Sequence, residues 1–112
     1  MGLDFNPGTA SWSYTGFNAF RERLAKEINM NLRSMKGFGG NIKFSKFNDP
    51  IIPLLDHSDC DGHLTVKECE QVAPRLIELV KDWPDDYDRQ EAIKLANDML
   101  FCVKKKQKLI FC

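Results

Sequence analysis

The stretch HSDCDGHLTVKE, residues 57–68, marks the point where a turn passes into a helix. Gly62 can adopt the left-handed conformation that a sharp turn needs, and Asp59 and Asp61 can accept hydrogen bonds from their own backbone. Thr65 and Glu68 have the spacing of a capping box, in which each side chain accepts a backbone N–H of the other residue. The stretch therefore predicts a tight turn that leads into a helix.

The same stretch resembles the loop of the EF-hand family, in which two helices flank a calcium site. That family takes its oxygen ligands from loop positions 1, 3, 5, 7, 9 and 12 and needs a glycine at position 6. In this register Gly62 falls on position 6. The resemblance implies a ligand set of the carboxylates of Asp59, Asp61 and Glu68, the carbonyl of His63 and, through water, Thr65.

The loop departs from the family pattern at position 1, where the usual aspartate is replaced by His57. An imidazole nitrogen suits transition metals better than calcium, so His57 is at most an additional ligand. The preceding helix is short and contains Pro53, and the chain has no second loop of this type. Two interpretations remain open, a capped turn that holds no metal and a calcium-binding loop.

Other chemistry is less well supported by the residues around this loop. Zinc would need thiolate and imidazole ligands from His57, Cys60, His63 and Cys69, but Cys69 is expected on the apolar face of a helix, where free cysteines are commonly buried. As a nucleophile, Cys60 has two histidines nearby that lower its pKa and two aspartates that raise it. We therefore predict no enzymatic activity from the sequence and assign no catalytic residue.

Composition describes an ordinary globular chain. The 112 residues are 43% hydrophobic and 29% charged, which predicts a single domain over residues 1–112. Sixteen basic residues balance sixteen acidic ones, so net charge gives no signal for nucleic acid and identifies no partner. An unknown protein partner remains open.

Localisation and thiol state are predicted from what the sequence contains at its start and along its length. The start lacks the basic and apolar regions of a signal peptide, and no apolar run approaches the roughly 20 residues of a membrane span. We therefore expect a cytoplasmic protein that makes no membrane contact. In that setting Cys60, Cys69, Cys102 and Cys112 are expected to be reduced.

Working outward from the loop, apolar periodicity predicts the remaining elements. Residues 10–15 alternate as a strand with Trp12 and Tyr14 inward, and Thr15 is expected to cap the next helix. Further strands are predicted at 42–47 and 109–112, and helices at 16–28, 50–56, 65–83 and 86–105. Pro74 is expected to kink the third helix, and Leu100 and Val103 to face inward on the fourth.

These elements predict an α+β fold that is mostly α. About four helices would accompany a small sheet of two or three strands, built by pairing the N-terminal strand with the C-terminal one. The basic cluster at residues 104–108 is expected to complement the C-terminal end of the last helix. Phe38, Phe44 and Phe47 are expected in the core rather than in a binding patch.

Three short segments together resemble a family of small, functionally uncharacterised proteins of bacteria and their phages. They are WSYTGF at 12–17, HSDCDG at 57–62 and APRL at 73–76. The resemblance implies a bacterial or phage setting and carries no activity. The sequence therefore predicts an interaction or structural module that is not an enzyme, with a divalent-cation (calcium) binding module as the alternative.

Overall fold

The computed structural model describes residues 2–58 and 61–112 and has an α+β fold that is mostly helical, as predicted. The four strands are β1 (Gly2–Asn6), β2 (Ser11–Ser13), β3 (His63–Leu64) and β4 (Leu109–Phe111). The four helices are α1 (Tyr14–Glu27), α2 (Ile52–Leu55), α3 (Val66–Val80) and α4 (Tyr87–Lys105).

The strands form one antiparallel sheet in the order β2-β1-β4-β3, which is more strands than the two or three predicted. The C-terminal strand β4 pairs with β1, at Phe5 opposite Phe111, and not with the strand predicted at 10–15. That strand is β2, and a short hairpin connection places it outside β1. In β1 the buried Leu3 and Phe5 alternate with exposed residues, a period-2 pattern that the predicted elements omitted.

Helix α1 and its cap begin two residues earlier than predicted. The Ser13 hydroxyl, and not Thr15, accepts the N–H of Gly16 at 3.0 Å, so the helix begins at Tyr14. Phe17, Phe20 and Leu24 are buried along one face, as the periodicity predicted.

The strand predicted at 42–47 is wrong. Ile42 makes only an isolated bridge to Met35, and Phe44–Lys46 form a 3₁₀ turn. A second 3₁₀ turn covers Leu32–Ser34. Alternation over so few residues produces a strand only where another strand is available to pair with it, and the turns around this segment supply none. Phe44 is nevertheless buried, as expected.

The helices after the loop lie close to their predicted positions. α2 is a single turn inside the predicted 50–56, and α3 continues through Pro74 but ends at Val80, before Trp83. α4 is capped by the Asp86 side chain, and Lys104 and Lys105 lie in its last turn, where positive charge complements the helix dipole. Leu100 is exposed rather than inward, and Val103 is half-buried.

An aromatic cluster joins the sheet to α1. Trp12 stacks on Phe20 with ring centroids 4.6 Å apart, and Phe5 packs edge-on against Phe111 at 4.9 Å. Phe17 lies 6.2 Å from Phe5 and 6.3 Å from Phe111. Because β4 contributes Phe111 to this cluster, the core fixes the strand against which the loop at 57–68 is built.

Two carboxylates of α4 hold the connection between β1 and β2. The buried Asp98 accepts the N–H of Thr9 at 2.9 Å, its hydroxyl at 3.0 Å and the N–H of Ala10 at 3.1 Å. Glu91 accepts the N–H of Ser11 at 3.0 Å. Asp98 thus satisfies backbone donors of the connection, and Glu91 satisfies the first backbone donor of the edge strand β2.

Candidate functional site

The exit of the loop is built as the sequence predicted. The Thr65 hydroxyl accepts the N–H of Glu68 at 3.1 Å, and the Glu68 carboxylate accepts the N–H of Thr65 at 2.9 Å. This is a complete capping box, and α3 begins at the next residue, Val66. One oxygen of Glu68, the predicted ligand at position 12, is therefore engaged with the backbone.

Position 8 of the loop anchors it to the sheet. Leu64 is fully buried and lies opposite Leu109, and His63 lies opposite Ile110. The N–H of Phe111 donates to the carbonyl of Gly62 at 2.9 Å, which extends this pairing by one more hydrogen bond. The second half of the loop is thus held by β4.

The His57 imidazole faces backbone carbonyls on both of its nitrogens. Nε2 lies 3.0 Å from the carbonyl oxygen of His63, across the loop, and Nδ1 lies 2.8 Å from that of Ser58. A carbonyl oxygen only accepts, so the ring must donate: a neutral imidazole donates to one of the two, and an imidazolium to both. The side chain at position 1 therefore contacts the carbonyl that the EF-hand resemblance assigns to calcium at position 7.

The ring position is fixed by its neighbours above and below. His57 stacks on Phe111 with ring centroids 3.9 Å apart and planes 23° from parallel. Gly62 has φ of +89°, and a Cβ there would lie 3.2 Å from Cε1 of the imidazole. Glycine at position 6 is therefore required both by the turn and by the close approach of the ring.

Arg21 ties the start of the loop to α1, although the sequence analysis did not identify it as part of the site. It is only 2% exposed, and its Nη1 donates to the carbonyls of Leu55 and His57. Its guanidinium also lies 4.7 Å from the ring centroid of Phe17 and 5.1 Å from that of Phe38. Arg21 follows Phe17 by four residues, so its place on the apolar stripe was the available signal.

The predicted metal ligands are only partly brought together. His57 meets the His63 carbonyl, Thr65 meets Glu68, and Asp61 is exposed. Asp59 lies outside the described residues. Within residues 2–58 and 61–112, no three His, Cys, Asp or Glu side chains group closely enough to hold a metal ion. Nε2 of His57 lies against the carbonyl oxygen that the EF-hand resemblance assigns to calcium, and metal binding by this loop stays a prediction.

The predicted zinc set is divided in the same way. Cys60 lies outside the described residues, while Cys69 is buried on α3 beside Cys102 of α4, and both are free thiols. Burial raises the pKa of Cys69 to about 12, with a further contribution from Cys102. The pKa of Cys102 is also raised, by burial and by Asp98. Neither buried thiol is therefore prepared to act as a thiolate ligand or a nucleophile.

Comparisons with known proteins give no independent identification. A scan of protein-family models and searches of curated proteins and solved structures find no match to this chain. None of the helices in the described part of the chain is long and apolar enough to cross a bilayer. The local resemblance to an EF-hand loop and the looser resemblance to bacterial and phage proteins therefore remain predictions from sequence.

Proposed function

We propose that the protein is an interaction module without enzymatic activity, and that the loop at 57–68 is a structural turn closed by His57 instead of a metal ion. The observation that carries this proposal is the 3.0 Å contact between His57 Nε2 and the His63 carbonyl oxygen. In the EF-hand arrangement that oxygen would ligate calcium; in the closure proposed here, a protonated Nε2 donates to it instead. The loop then connects α2 to α3 without needing an ion.

The engagement of the buried polar side chains supports a role without catalysis. Arg21 donates to loop carbonyls, and Asp98 and Glu91 accept backbone N–H groups of the hairpin. A catalytic group needs an accessible and adjustable proton or lone pair, whereas each of these groups is committed to holding the chain in place.

The alternative function is a divalent-cation binding module that uses the same loop. In favour of it, the exposed Asp61 occupies position 5, and α3 begins in the register that an EF-hand requires. Its ligands would be the side chains of Asp59, Asp61 and Glu68, the His63 carbonyl and water held by Thr65. Calcium would then have to displace the His57 ring from the His63 carbonyl.

Thermal unfolding separates the two functions. The purified protein is melted with EDTA and with millimolar calcium, magnesium or zinc, together with the variants Asp61→Ala and, as a control for loss of an exposed carboxylate, Asp82→Ala. We expect superimposable curves in all four conditions, because an ion stabilises a protein only if it binds the folded state. A stabilisation by one metal that Asp61→Ala abolishes and Asp82→Ala retains would contradict the proposal.

A further inference from the structure

Three neighbouring open cavities are lined by α1 residues and share lining residues with one another. Their volumes are about 490, 460 and 480 Å³. The first and second share Asn18 and Phe38, and the second and third share Glu22 and Arg33. We call this feature the α1 groove. It runs between α1 and the chain segment that follows it.

The accessible surface of the α1 groove is mostly polar, and Phe38 contributes exposed apolar surface to it. Met30 and Leu32 line it and are almost fully buried, and Phe38 is half-buried. From Asn18 to Lys26 the wall formed by α1 rises about 12 Å at 1.5 Å per residue. An extended peptide advances about 3.3 Å per residue, so a segment of about four residues spans this length.

The segment that follows α1 is positively charged although the whole chain is neutral. Residues 28–48 contain four Lys and Arg residues and no Asp or Glu. The α1 groove takes Arg33 and Lys36 from this segment and Lys26 from α1. The Arg33 side chain is 80% exposed, and in the described part of the chain neither lysine pairs with a carboxylate.

The carboxylates in the α1 groove are fewer and partly engaged. Among the described lining residues they are Glu22 and Asp56, and Glu22 already accepts Arg33 Nε at 2.9 Å and Asn18 Nδ2 at 3.5 Å. Arg33 keeps further N–H donors on its guanidinium, which can bind a second carboxylate. The charge of the groove therefore favours an anionic occupant.

The packing and exposure of the aromatic side chains favour a peptide over a nucleic acid as the occupant of the α1 groove. Single-stranded nucleic acids bind with their bases stacked on exposed aromatic faces. The Phe38 ring instead packs edge-on against Phe44 at 5.8 Å and contacts the Arg21 guanidinium. The aromatic side chains classed as exposed in the described chain, Tyr87 at 55% and Phe101 at 45%, both lie on α4, outside the groove.

We propose that the α1 groove binds an extended acidic peptide segment of a partner protein, whose carboxylates contact Lys26, Arg33 and Lys36. This inference rests on the proposed role as an interaction module and names the binding face and the partner chemistry. Apolar side chains of the peptide would lie over the half-buried Phe38. The electrostatic part of such binding weakens as salt screens it.

Fluorescence anisotropy tests the proposal with a labelled octapeptide of alternating Glu and Ala. We expect saturable binding at low ionic strength that weakens at least about fivefold as salt rises to physiological strength. The triple variant Lys26→Glu, Arg33→Glu, Lys36→Glu should weaken binding at least about tenfold, because it replaces attraction by repulsion. Circular dichroism verifies that the triple variant is folded, and the single variant Arg33→Ala gives a milder second test.

The matched control reverses three exposed lysines elsewhere, in the variant Lys67→Glu, Lys81→Glu, Lys108→Glu. It changes the net charge equally, so its affinity should stay within about threefold of the unmodified chain if the peptide binds in the α1 groove. Absence of binding at low salt, or equal losses in both triple variants, would overturn the inference.

A labelled oligothymidylate distinguishes the macromolecule class. If it binds more tightly than the peptide and responds to the same groove variants, the occupant is a nucleic acid and the peptide proposal is wrong. These outcomes do not depend on metal, so they are distinct from the failure of the proposed function, which would appear as a metal-dependent melting curve.

Discussion

The turns that lead into the two edge strands of the sheet are closed by side chains of opposite character. Before β3, loop carbonyls face inward, and the imidazole of His57 lies against two of them. Before β2, backbone N–H groups face inward, and the carboxylate of Asp98 accepts two of them. In both places one side chain satisfies a concave stretch of backbone.

The difference shows what the EF-hand-like spacing of residues 57–68 encodes. The carbonyl oxygens of Ser58 and His63 lie against the His57 ring, and a carbonyl oxygen can be satisfied by a cation or by an N–H donor. Position 1 decides which of these is supplied. Under the proposed function, an aspartate at this position would require an ion, whereas His57 supplies an N–H donor.

The largest effect is expected at the hairpin. Replacing Asp98 by alanine leaves the buried N–H of Ala10, the partly buried N–H of Thr9 and the Thr9 hydroxyl without their acceptor, which should lower the free energy of unfolding by about 3 kcal/mol. Urea denaturation measures this change. The neighbouring exposed position serves as control, since Asn97→Ala should stay within about 0.5 kcal/mol. Similar stabilities of the two variants would mean that the carboxylate is not what closes this turn.

His57→Ala should lower the free energy of unfolding by a smaller amount, about 2 kcal/mol, because the ring is only half-buried. The variant loses the hydrogen bond to the His63 carbonyl and the stacking on Phe111. Urea denaturation in EDTA checks the value. His63→Ala removes an exposed imidazole from the same loop and should cost less than about 0.5 kcal/mol. If the two alanine variants are equally stable, His57 does not close the loop.

His57→Asp should convert the loop from closure by a donor to closure by an ion. The new carboxylate restores the position 1 ligand and removes the ring from the His63 carbonyl. If calcium then binds with a dissociation constant of about 1 mM, 10 mM calcium stabilises the variant by about 1.4 kcal/mol. Melting with calcium and with EDTA measures this gain. His57→Asn, which lacks the charge, should be stabilised less by calcium. If calcium does not stabilise His57→Asp, the loop does not resemble an EF-hand in its response to position 1.

A third turn, before α2, is held by the partly exposed carboxylate of Asp49, and its contribution to stability should depend on pH. Asp49 accepts the N–H of Ile51 at 3.0 Å and binds Arg75 through two hydrogen bonds of 3.0 and 2.9 Å. Burial alone raises the pKa of Asp49, but the hydrogen bonds from Arg75 and Ile51 outweigh it and hold the pKa below its usual value.

A carboxyl with a lowered pKa stabilises the fold above its unfolded pKa, and that stability is lost as the pH falls through the folded pKa. The unmodified chain should therefore exceed Asp49→Asn by about 1 kcal/mol at neutral pH, a modest value because water screens the pair. Urea denaturation between pH 7 and about pH 2 should show this difference shrinking below about pH 4. A difference independent of pH would contradict the assignment.

Local signals predicted those parts of the fold that depend on nearby residues. Thr65 and Asp86 cap helices through bonds to residues three positions away, so α3 and α4 were predicted within a few residues. The strand at 42–47 was wrong because alternation does not guarantee a pairing partner. β1 was missed although its buried residues Leu3 and Phe5 alternate with exposed ones. The partner of the C-terminal strand was therefore missed as well.

The turn and the capping box of the candidate site were predicted, but the contacts of the His57 ring were not. The departure at position 1 was visible, but the inward position of the His57 ring depends on Phe111, more than fifty residues away. Arg21 and Asp98 were readable as polar residues on apolar helix stripes. Their hydrogen-bond partners could not be predicted, because Arg21 donates to backbone carbonyls and Asp98 accepts backbone N–H groups of turns that are distant in the sequence.

The central claim, that His57 closes the loop in place of an ion, is tested most directly by the NMR signals of its own ring. Protein labelled with ¹⁵N is recorded in EDTA and again in 10 mM calcium, a concentration of about ten times a millimolar dissociation constant. The account predicts a protonated Nε2, hydrogen-bonded to the His63 carbonyl, with signals that calcium leaves unchanged. An unprotonated Nε2, or ring signals that shift and saturate as calcium is added, would contradict it.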